Sequence, residues 1–446
     1  MPSRRSSIRH PTRLLPLALL TLIVIGTATL MLPAARVGDN ATPFLTALFT
    51  ATSAACITGL TVVDTATYWS PLGHVVIMAL SQVGGFGIMG LATLVSLFVT
   101  RRLGLSTRLL AQAETKTFAL GEVSRILIRV AIIMLCMELL LTLVLAARLA
   151  LGYGYSVGKA LWYGLFHAVT AFNNAGFSLY SDNLVQFVTD PWICLPIAFG
   201  VITGGLGFPV LIELLRQLRW PGRWSMHTKL TILGTSVLLV VATVLILAME
   251  WANPRTLGAL DFPGKLLASF FQGMTPRSSG FNTLDYSAMD DTTWALTTAL
   301  MFIGGGSAST AGGIKVTTFF LLGFVILAEV RGDTDVTVFD RRLQASAQRQ
   351  AVSIGLLGVG VIGIGTMLML ALTDHPLDQA LFEITSAATT AGLTTGITSD
   401  LSPAAQLLLT AMMYIGRVGP AVAAAALALR TRRRLYRLPE GRPIVG

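Results

Sequence analysis

The sequence is poor in charged residues. Only 12% of its 446 residues are Asp, Glu, Lys or Arg, whereas 53% are apolar. Soluble domains carry roughly 25% charged residues, so this composition excludes a soluble globular protein. Apolar runs as long as a bilayer is thick recur along the chain, and about 20 such residues span the hydrocarbon core. The sequence therefore predicts an integral membrane protein.

Reactive and metal-binding side chains are also scarce. Cys56, Cys136 and Cys194 lie apart, without the CxxC spacing of a thiolate metal site or a disulfide framework. The five histidines lack metal-ligand spacing, and no Ser/His/Asp or paired-carboxylate arrangement indicates catalysis. Matches to GxGxxG lie inside apolar runs, without the strand that a dinucleotide site requires. We predict neither an enzyme nor an intrinsic cofactor.

The net charge of +10 is distributed in a way that indicates a membrane rather than nucleic acid. Basic blocks alternate with acidic segments along the chain, as the positive-inside rule requires of a protein that crosses a membrane repeatedly. We predict a multi-pass protein of the plasma (cell inner) membrane, in contact with lipid and with both termini in the cytoplasm. The basic blocks are 4–13, 101–129, 216–229, 331–349 and 430–442.

Long and short apolar segments alternate in a regular order. Each of the long windows can span the bilayer, and the short ones cannot, so we predict eight spans and four re-entrant pore helices. A re-entrant backbone is tolerated where protein or water satisfies its polar groups. The long windows are 14–32, 72–99, 126–151, 192–215, 230–249, 293–327, 352–372 and 403–429, and the short ones are 43–55, 159–172, 264–275 and 378–389.

Two glycine motifs recur in the same order four times. The first follows each short segment, as ACITGLT (55–61), NNAGFS (173–178), RSSGFNT (277–283) and TTAGLTT (389–395). The second lies in the next long window, as VGGFG (83–87), TGGLG (203–207), IGGGS (303–307) and IGRVG (415–419). A period near 110 residues indicates an internal repeat. We predict an all-α fold of four helix, pore-helix, helix repeats with pseudo-fourfold symmetry around one pore: 14–100, 101–225, 226–335 and 336–437, with cytoplasmic tails at 1–13 and 438–446.

The first motif predicts an ion filter. A glycine at the end of a buried half-helix adopts positive φ and lets carbonyl groups face inward without a Cβ clash. Four such segments would form a ring of oxygens that replaces the water shell of a monovalent cation. The alternative is that these glycines only allow close helix packing. The predicted filter residues are Thr58, Gly59, Ala175, Gly176, Ser279, Gly280, Ala391 and Gly392.

With these motifs in place, the chain resembles the Trk/Ktr/HKT superfamily of potassium transporters from Leu14 to about Arg437. Eight spans make it most similar to the bacterial Ktr membrane subunit. The resemblance implies potassium uptake, with K⁺ held at the backbone carbonyls of the filter residues. It also implies a homodimer docked on a cytosolic nucleotide-binding regulatory ring, for which the basic inner face including 331–349 is available. Sodium as an activator is left open.

The sixth span contains the run GGGSASTAGGIK (304–315), which predicts a gate. Glycine costs a helix up to about 1 kcal/mol relative to Ala, so the span should break beside a water-filled cavity. In the resembling family this segment is the intramembrane gating loop; the alternative is a glycine-rich packing surface. The predicted loop residues are Gly304, Gly305, Gly306, Ser307, Ala308, Ser309, Thr310, Ala311, Gly312 and Gly313, with Lys315 as an anchor.

Arg417 is the second predicted gate residue. It takes the position of Gly85, Gly205 and Gly305 in the other repeats. It precedes Arg430 by 13 residues, which is about 20 Å of helix and too deep for easy snorkelling. A cation this far inside a membrane is functional by default. The alternative is structural pairing with a neighbouring carbonyl or with a carboxylate such as Glu383.

Other functions stay open on the residues alone. One is a sodium-selective or proton-coupled relative with the same fold. Another class is a membrane scaffold or enzyme that uses the glycines for packing and carries no ion flux.

Overall fold

A computed structural model describes residues 11–38, 40–102, 120–339 and 341–429. The predicted tail at 438–446, the basic block at 430–442 and most of the tail at 1–13 lie outside the described residues. The prediction of both termini in the cytoplasm therefore stays a prediction.

Helices supply nearly all of the regular structure. In each of four successive units a long helix precedes a short one, and the helix that follows is continuous in the first and last units and divided in two in the second and third. The short helices α2, α6, α10 and α14 match the predicted pore helices to within two residues at each end. A predominantly helical fold is thereby confirmed. The bounds are α1 Pro11–Leu30, α2 Phe44–Ala55, α3 Thr65–Tyr68, α4 Pro71–Arg102, α5 Leu120–Tyr153, α6 Val157–Phe172, α7 Pro191–Leu206, α8 Phe208–Gln217, α9 Met226–Glu250, α10 Phe262–Met274, α11 Asp291–Phe302, α12 Val316–Arg331, α13 Ala345–Leu372, α14 Leu377–Thr389 and α15 Pro403–Leu429.

Aspartates define several helix starts. The Asp190 carboxylate accepts a hydrogen bond from the Trp192 backbone N–H at 2.9 Å, and Asp261 accepts one from the Gly264 N–H at 3.1 Å. These bonds satisfy amide groups that lack a partner in the first turn, and a carboxylate is favoured at the positive end of the helix dipole. The acidic residues of these connections therefore have a local structural role in starting α7 and α10.

Two of the predicted spans are interrupted. The break between α11 and α12 is the predicted one, and Ile303 pairs with Ile314 across its base. The break between α7 and α8 was not predicted: the helices meet at 104° around Gly207, whose φ is 90°. Pro209 lies in the first turn of α8 and has no N–H to continue a helix. The segment 192–215 looks like one uninterrupted apolar span in the sequence, because its glycines and prolines leave its overall hydrophobicity high.

The number of spans is not confirmed. Within the described part of the chain, three helical segments are long and apolar enough to cross a membrane: Leu127–Tyr153, Met226–Glu250 and Ala345–Leu372. The bent pair α7 and α8 would be a fourth if it counts as one span. The prediction of eight spans, the pseudo-fourfold symmetry and the repeat boundaries stay predictions. A short hairpin, β1 Thr337–Val338 with β2 Arg341–Arg342, was not predicted.

Each unit packs against the next through buried apolar side chains, and the last unit returns to the first. Ile57 and Phe177 share one cluster between the first two units. Residues of α7 and α10 share another, and residues of α10, α11 and α14 a third. The final cluster joins α1 and α2 to α15, and the Tyr414 hydroxyl donates to the Pro16 carbonyl at 3.0 Å. This closed order of contacts brings the ends of the short helices to a common centre.

Candidate ion pathway

Three of the short helices end in the same hydrogen-bonded turn. In α2 the Ile57 N–H donates to the Ala54 carbonyl at 3.0 Å, and the Thr58 N–H donates to the Ser53 carbonyl at 2.8 Å. The same pair of bonds, with the same spacing, closes α6 at Ala175 and α14 at Ala391. This is the Schellman pattern, in which a left-handed residue ends the helix. The short helix α10 ends differently, with the Ser279 N–H donating to the Thr275 carbonyl at 3.2 Å.

A left-handed residue that is not glycine stands two positions before each predicted filter glycine. These residues are Ile57, Asn174, Ser278 and Thr390, with φ of 50°, 58°, 72° and 51°. Left-handed backbone is unusual for any residue with a Cβ and is an outlier for a branched one such as Ile57. Such strain persists where the surroundings enforce it, and it concentrates at functional sites.

The four filter glycines also have positive φ and lie against one another. Gly59, Gly176, Gly280 and Gly392 have φ of 91°, 69°, 71° and 80°. A β-carbon added at Gly59 would lie 2.6 Å from the Ala175 carbonyl oxygen. One added at Gly176 would lie 2.5 Å from the Gly280 Cα. Only glycine satisfies both the conformation and the close approach.

The carbonyl oxygens before these glycines meet at the same place. A β-carbon at Gly280 would lie 3.3 Å from the Thr58 oxygen and 3.5 Å from the Ala391 oxygen. The Ser279 oxygen would be 2.6 Å from one at Gly176. The structure thus brings together all eight residues predicted for the filter, one Gly and its predecessor from each unit. A ring of carbonyl oxygens can replace the hydration shell of a cation, and the C-terminal ends of the short helices add partial negative charge.

The second glycine motif lies against the ends of the short helices. A β-carbon at Gly84, Gly204 or Gly416 would clash with the carbonyl oxygen of Ala55, Phe172 or Ala388, which lie at the ends of α2, α6 and α14. The third unit differs, because the neighbour of Gly304 is the Gly312 carbonyl of the glycine-rich loop. The glycine-rich loop therefore lies where the other units have a direct contact between helices.

The loop is buried and bonded to the bend between α7 and α8. The Gly306 N–H donates to the Gly205 carbonyl at 2.7 Å, and the Thr310 N–H donates to the Gly204 carbonyl at 3.3 Å. In return, the Phe208 N–H donates to the Ala308 carbonyl at 3.2 Å. The unpredicted break at Gly207 thus supplies both acceptors and a donor for the predicted loop.

A serine joins the loop to the filter segments of two units. The Ser278 hydroxyl donates to the Thr390 carbonyl at 2.7 Å and accepts from the Gly312 N–H at 3.0 Å. Sequence reasoning missed Ser278. The only sequence signal that could have identified Ser278 is its position two residues before Gly280.

Arg417 contacts the loop directly. Its side chain is 4% exposed, and an Nη1 hydrogen is donated to the Thr310 carbonyl. Within the described ranges, its Nε and Nη2 atoms have no hydrogen-bond partner. The suggested pairing with Glu383 is wrong, because the Glu383 carboxylate accepts hydrogen bonds from Thr394, Thr395 and Thr398 instead. A carbonyl, the other alternative, is the observed acceptor.

Lys315 also bonds within the loop, as its Nζ donates to the Ala311 carbonyl at 2.6 Å. Among the residues whose side chains the structure describes, neither Lys315 nor Arg417 makes an ion pair. Two unpaired cations inside a buried region are costly unless water or helix ends compensate them. The negative ends of the short helices lie next to this region and provide part of that compensation.

Comparison with known proteins identifies the family. Residues 4–429 match the TrkH family, described as a cation transport protein. The chain belongs to this family. The resemblance to Trk/Ktr/HKT proteins is thereby confirmed.

Several TrkH-family relatives align with almost the whole chain. The Ktr system potassium uptake protein B of Bacillus subtilis is 38% identical over 436 residues, covering 98% of this chain and 97% of that protein. Its counterpart in Vibrio alginolyticus is 35% identical, with 90% and 88% covered. The potassium/sodium uptake protein NtpJ of Enterococcus hirae is 31% identical, with 98% and 97% covered.

A solved TrkH-family structure has the same fold. The crystal structure of the potassium transporter TrkH from Vibrio parahaemolyticus matches with a TM-score of 0.73, covering 94% of this chain and 86% of that one. Its sequence identity of 17% limits the likeness to the fold.

Proposed function

We propose that this TrkH-family chain is the membrane subunit of a potassium uptake system. The observation that supports this most strongly is the meeting of four left-handed glycines, each preceded by a carbonyl that faces the others. The names of the Bacillus and Vibrio relatives support potassium as the substrate.

In this proposal, K⁺ loses its water at the glycine ring. The carbonyls of Thr58, Ala175, Ser279 and Ala391, with those of the glycines that follow them, act as ligands in place of water. The helix ends behind them make the site attractive to a cation and unattractive to an anion. A side chain at any filter glycine would require both a strained φ and a displaced carbonyl, which supports a requirement for glycine at all four positions.

The loop Gly304–Gly313 and Arg417 act as the gate. The loop lies between the bend at Gly207 and the filter segments, and hydrogen bonds connect it to both. The Arg417 guanidinium bonds the loop while leaving two of its nitrogen atoms unpartnered within the described residues, so its charge would repel a cation that enters the same space. Ion passage then requires the loop and the guanidinium to move apart.

Membership in the TrkH family supports a proposal for the assembly. We propose four repeats with eight spans and pseudo-fourfold symmetry, divided at 14–100, 101–225, 226–335 and 336–437, in the inner membrane with both termini in the cytoplasm. Two copies would form a dimer that docks a cytosolic nucleotide-binding ring on the basic inner face, including 331–349. The potassium/sodium uptake relative supports Na⁺ as an activator.

The same relative favours a second candidate, a transporter that accepts sodium as substrate. One experiment separates the candidates: the purified chain in liposomes, with competition among Li⁺, Na⁺, K⁺ and Rb⁺ for uptake. The proposal expects K⁺ and Rb⁺ to compete and Na⁺ to compete weakly. Equal competition by Na⁺ would favour the second candidate. A folded protein without ion flux would support a scaffold and overturn the proposal.

A further inference from the structure

Three short helices carry a buried polar side chain at the same position relative to their filter glycine. One is Thr50 in α2, nine residues before Gly59. In the other two helices that side chain contacts the backbone that follows the glycine. His167 in α6 lies nine residues before Gly176, and Glu383 in α14 lies nine residues before Gly392. Both side chains are buried. Histidine and glutamate share little chemistry, yet each can accept hydrogen bonds.

The hydrogen bonds of His167 fix its tautomer. Its Nδ1 atom lies 2.7 Å from the Tyr163 carbonyl oxygen, which can only accept, so Nδ1 carries the proton. The Nε2 atom is then an acceptor in the neutral ring. It receives a hydrogen bond from the Leu179 N–H at 3.3 Å and lies 3.1 Å from the Ser178 hydroxyl. His167 therefore contacts the residues two and three positions after the filter glycine of its own unit, Ser178 and Leu179.

Glu383 makes the same pair of contacts. Its Oε1 atom accepts from the Thr394 hydroxyl at 2.6 Å and from the Thr395 N–H at 2.9 Å. Its Oε2 atom accepts from the Thr398 hydroxyl at 2.7 Å. No basic side chain forms an ion pair with this carboxylate in the part of the chain that the structure describes.

The registers of the two networks are identical. In each unit the acceptor lies nine positions before the filter glycine, the hydroxyl two positions after it and the bonded N–H three positions after it. The third unit has Phe271 at this register. There the neighbouring Gln272 donates to the Leu284 carbonyl at 3.1 Å instead. His167 and Glu383 differ in chemistry, yet both accept a hydrogen bond from the N–H three positions after their glycine. This indicates a role that depends on accepting hydrogen bonds.

We infer that His167 and Glu383 are positioning residues for ion selection. This inference rests on the proposed filter. Each holds the chain on the outer side of its filter glycine and thereby fixes where the Gly176 or Gly392 carbonyl points. The selectivity of a carbonyl ring depends on the number and placement of its oxygens. Loss of the acceptor leaves a buried N–H unpaired, which a folded protein relieves by moving the segment.

The test compares variants with and without an acceptor. His167→Phe and Glu383→Leu keep the bulk and remove the acceptor, whereas His167→Gln and Glu383→Gln keep an acceptor oxygen near the same place. We expect the first two to lower the K⁺ over Na⁺ uptake ratio in liposomes about tenfold, because the unpaired N–H shifts the carbonyls. The Gln variants should retain the ratio to within about twofold, because a neutral amide oxygen still accepts.

Phe271→Leu is the matched control, because it changes the same register in a unit without this network. It should leave the uptake ratio unchanged. Should the Phe or Leu variant not fold, Ser178→Ala and Thr394→Val remove the hydroxyl from the other side of each contact and should lower the ratio in the same direction.

Two results would overturn the inference while leaving the filter proposal intact. One is that the wild type is selective for potassium and the folded His167→Phe variant is equally selective. If that variant does not fold, the Ser178→Ala variant takes its place in the comparison. The other is a Gln variant that loses as much selectivity as the variant without an acceptor. A wild type that is folded but carries no K⁺ flux would instead contradict the proposed function itself.

Discussion

Positive φ at residues other than glycine, within the described part of the chain, is concentrated around the proposed filter. Of the described residues other than glycine, Ile57, Asn174, Asn183, Ser278, Ala308, Phe339 and Thr390 have positive φ. Four of these seven directly precede a filter segment, and Ala308 lies in the loop. Strained conformations of this kind cost roughly 1–3 kcal/mol each, so the surrounding packing must hold them. Selectivity is therefore expected to respond to single substitutions here.

The first prediction concerns a filter glycine. Gly280→Ser should lower the K⁺ over Na⁺ uptake ratio about tenfold, equivalent to about 1.4 kcal/mol, because the added atoms would press on the Gly176 Cα 2.9 Å away and on the surrounding carbonyls. Gly59→Ser should act in the same direction. Competitive uptake into liposomes measures both.

Gly332→Ser separates the filter effect from backbone strain. Gly332 has φ of 72°, matching the 71° of Gly280, but a β-carbon there would meet nothing within 4 Å. This variant should keep wild-type selectivity. Equal losses in the Gly280 and Gly332 variants would speak against the filter assignment.

The second prediction concerns Arg417. Arg417→Ala should increase passive K⁺ flux severalfold, because it removes both the hydrogen bond to the Thr310 carbonyl and a buried positive charge near the ion path. Flux from K⁺-loaded liposomes measures it. The control is Arg255→Ala, which removes an exposed arginine. An Arg417 variant with wild-type flux would remove this residue from the gate.

At the scale of elements, two broken helices face each other. The loop between α11 and α12 and the bend between α7 and α8 exchange backbone hydrogen bonds, so that each satisfies groups the other leaves free. Irregular backbone inside a membrane needs such partners or water. Few hydrogen bonds connect the loop to the bend, and they can break without disturbing large packed side chains because the loop consists of small residues. The proposed gate requires a loop that can move in this way.

The third prediction tests the position of this loop. Gly312→Ala should increase basal K⁺ flux, because the new methyl group would clash with the Thr390 hydroxyl and the Thr389 carbonyl and push the loop from the filter. The matched control is Gly323→Ala in α12, where a β-carbon meets nothing within 4 Å. Stopped-flow flux measurements compare the two. A lower or unchanged flux for the Gly312 variant would contradict a loop that obstructs the path.

At the scale of the whole molecule, the order of contacts closes on itself. Clusters join each unit to the next, and α15 packs against α1 and α2. Closure is what places four helix ends at one centre, because an open row of units would leave the first and last glycines apart. In the proposed assembly the basic connections, including 331–349, form the inner face.

The fourth prediction concerns that side. Arg341 and Arg342 lie in the hairpin that follows α12 and are exposed. Arg342 bonds Asp335 at 2.8 Å with both side chains largely accessible, and such surface pairs contribute only about 0–1 kcal/mol. The double change Arg341→Glu and Arg342→Glu should therefore leave folding intact.

The Arg341→Glu and Arg342→Glu double variant should differ from the wild type in its affinity for the partner. We expect the double variant to bind the proposed partner, a cytosolic nucleotide-binding subunit, at least about tenfold more weakly, since reversed charge at an interface removes complementarity. Titration of the detergent-solubilised chain with that subunit measures the affinity. Arg255→Glu, on another connection, is the control. Unchanged binding would exclude the hairpin from the docking surface.

Much of the architecture was readable from local sequence. The short helices follow from apolar windows too brief to cross a bilayer, and the break after Phe302 follows from a run of poor helix formers. The glycines of the proposed filter could be singled out in the sequence because the same motif occurs four times. Ser278 and the register shared by His167 and Glu383 were not, because their roles depend on partners that no motif marks.

Glycine spacing and apolar length were enough to predict the four short helices and the glycines that lie close together at their ends, because both are properties of short, contiguous segments. Packing of the whole chain established the rest: that Arg417 bonds the Thr310 carbonyl and not Glu383, that α7 bends at Gly207, and that Ser278 joins the loop to two units. Those contacts connect residues up to 112 positions apart, and their geometry exists only once all four units have packed into a closed ring.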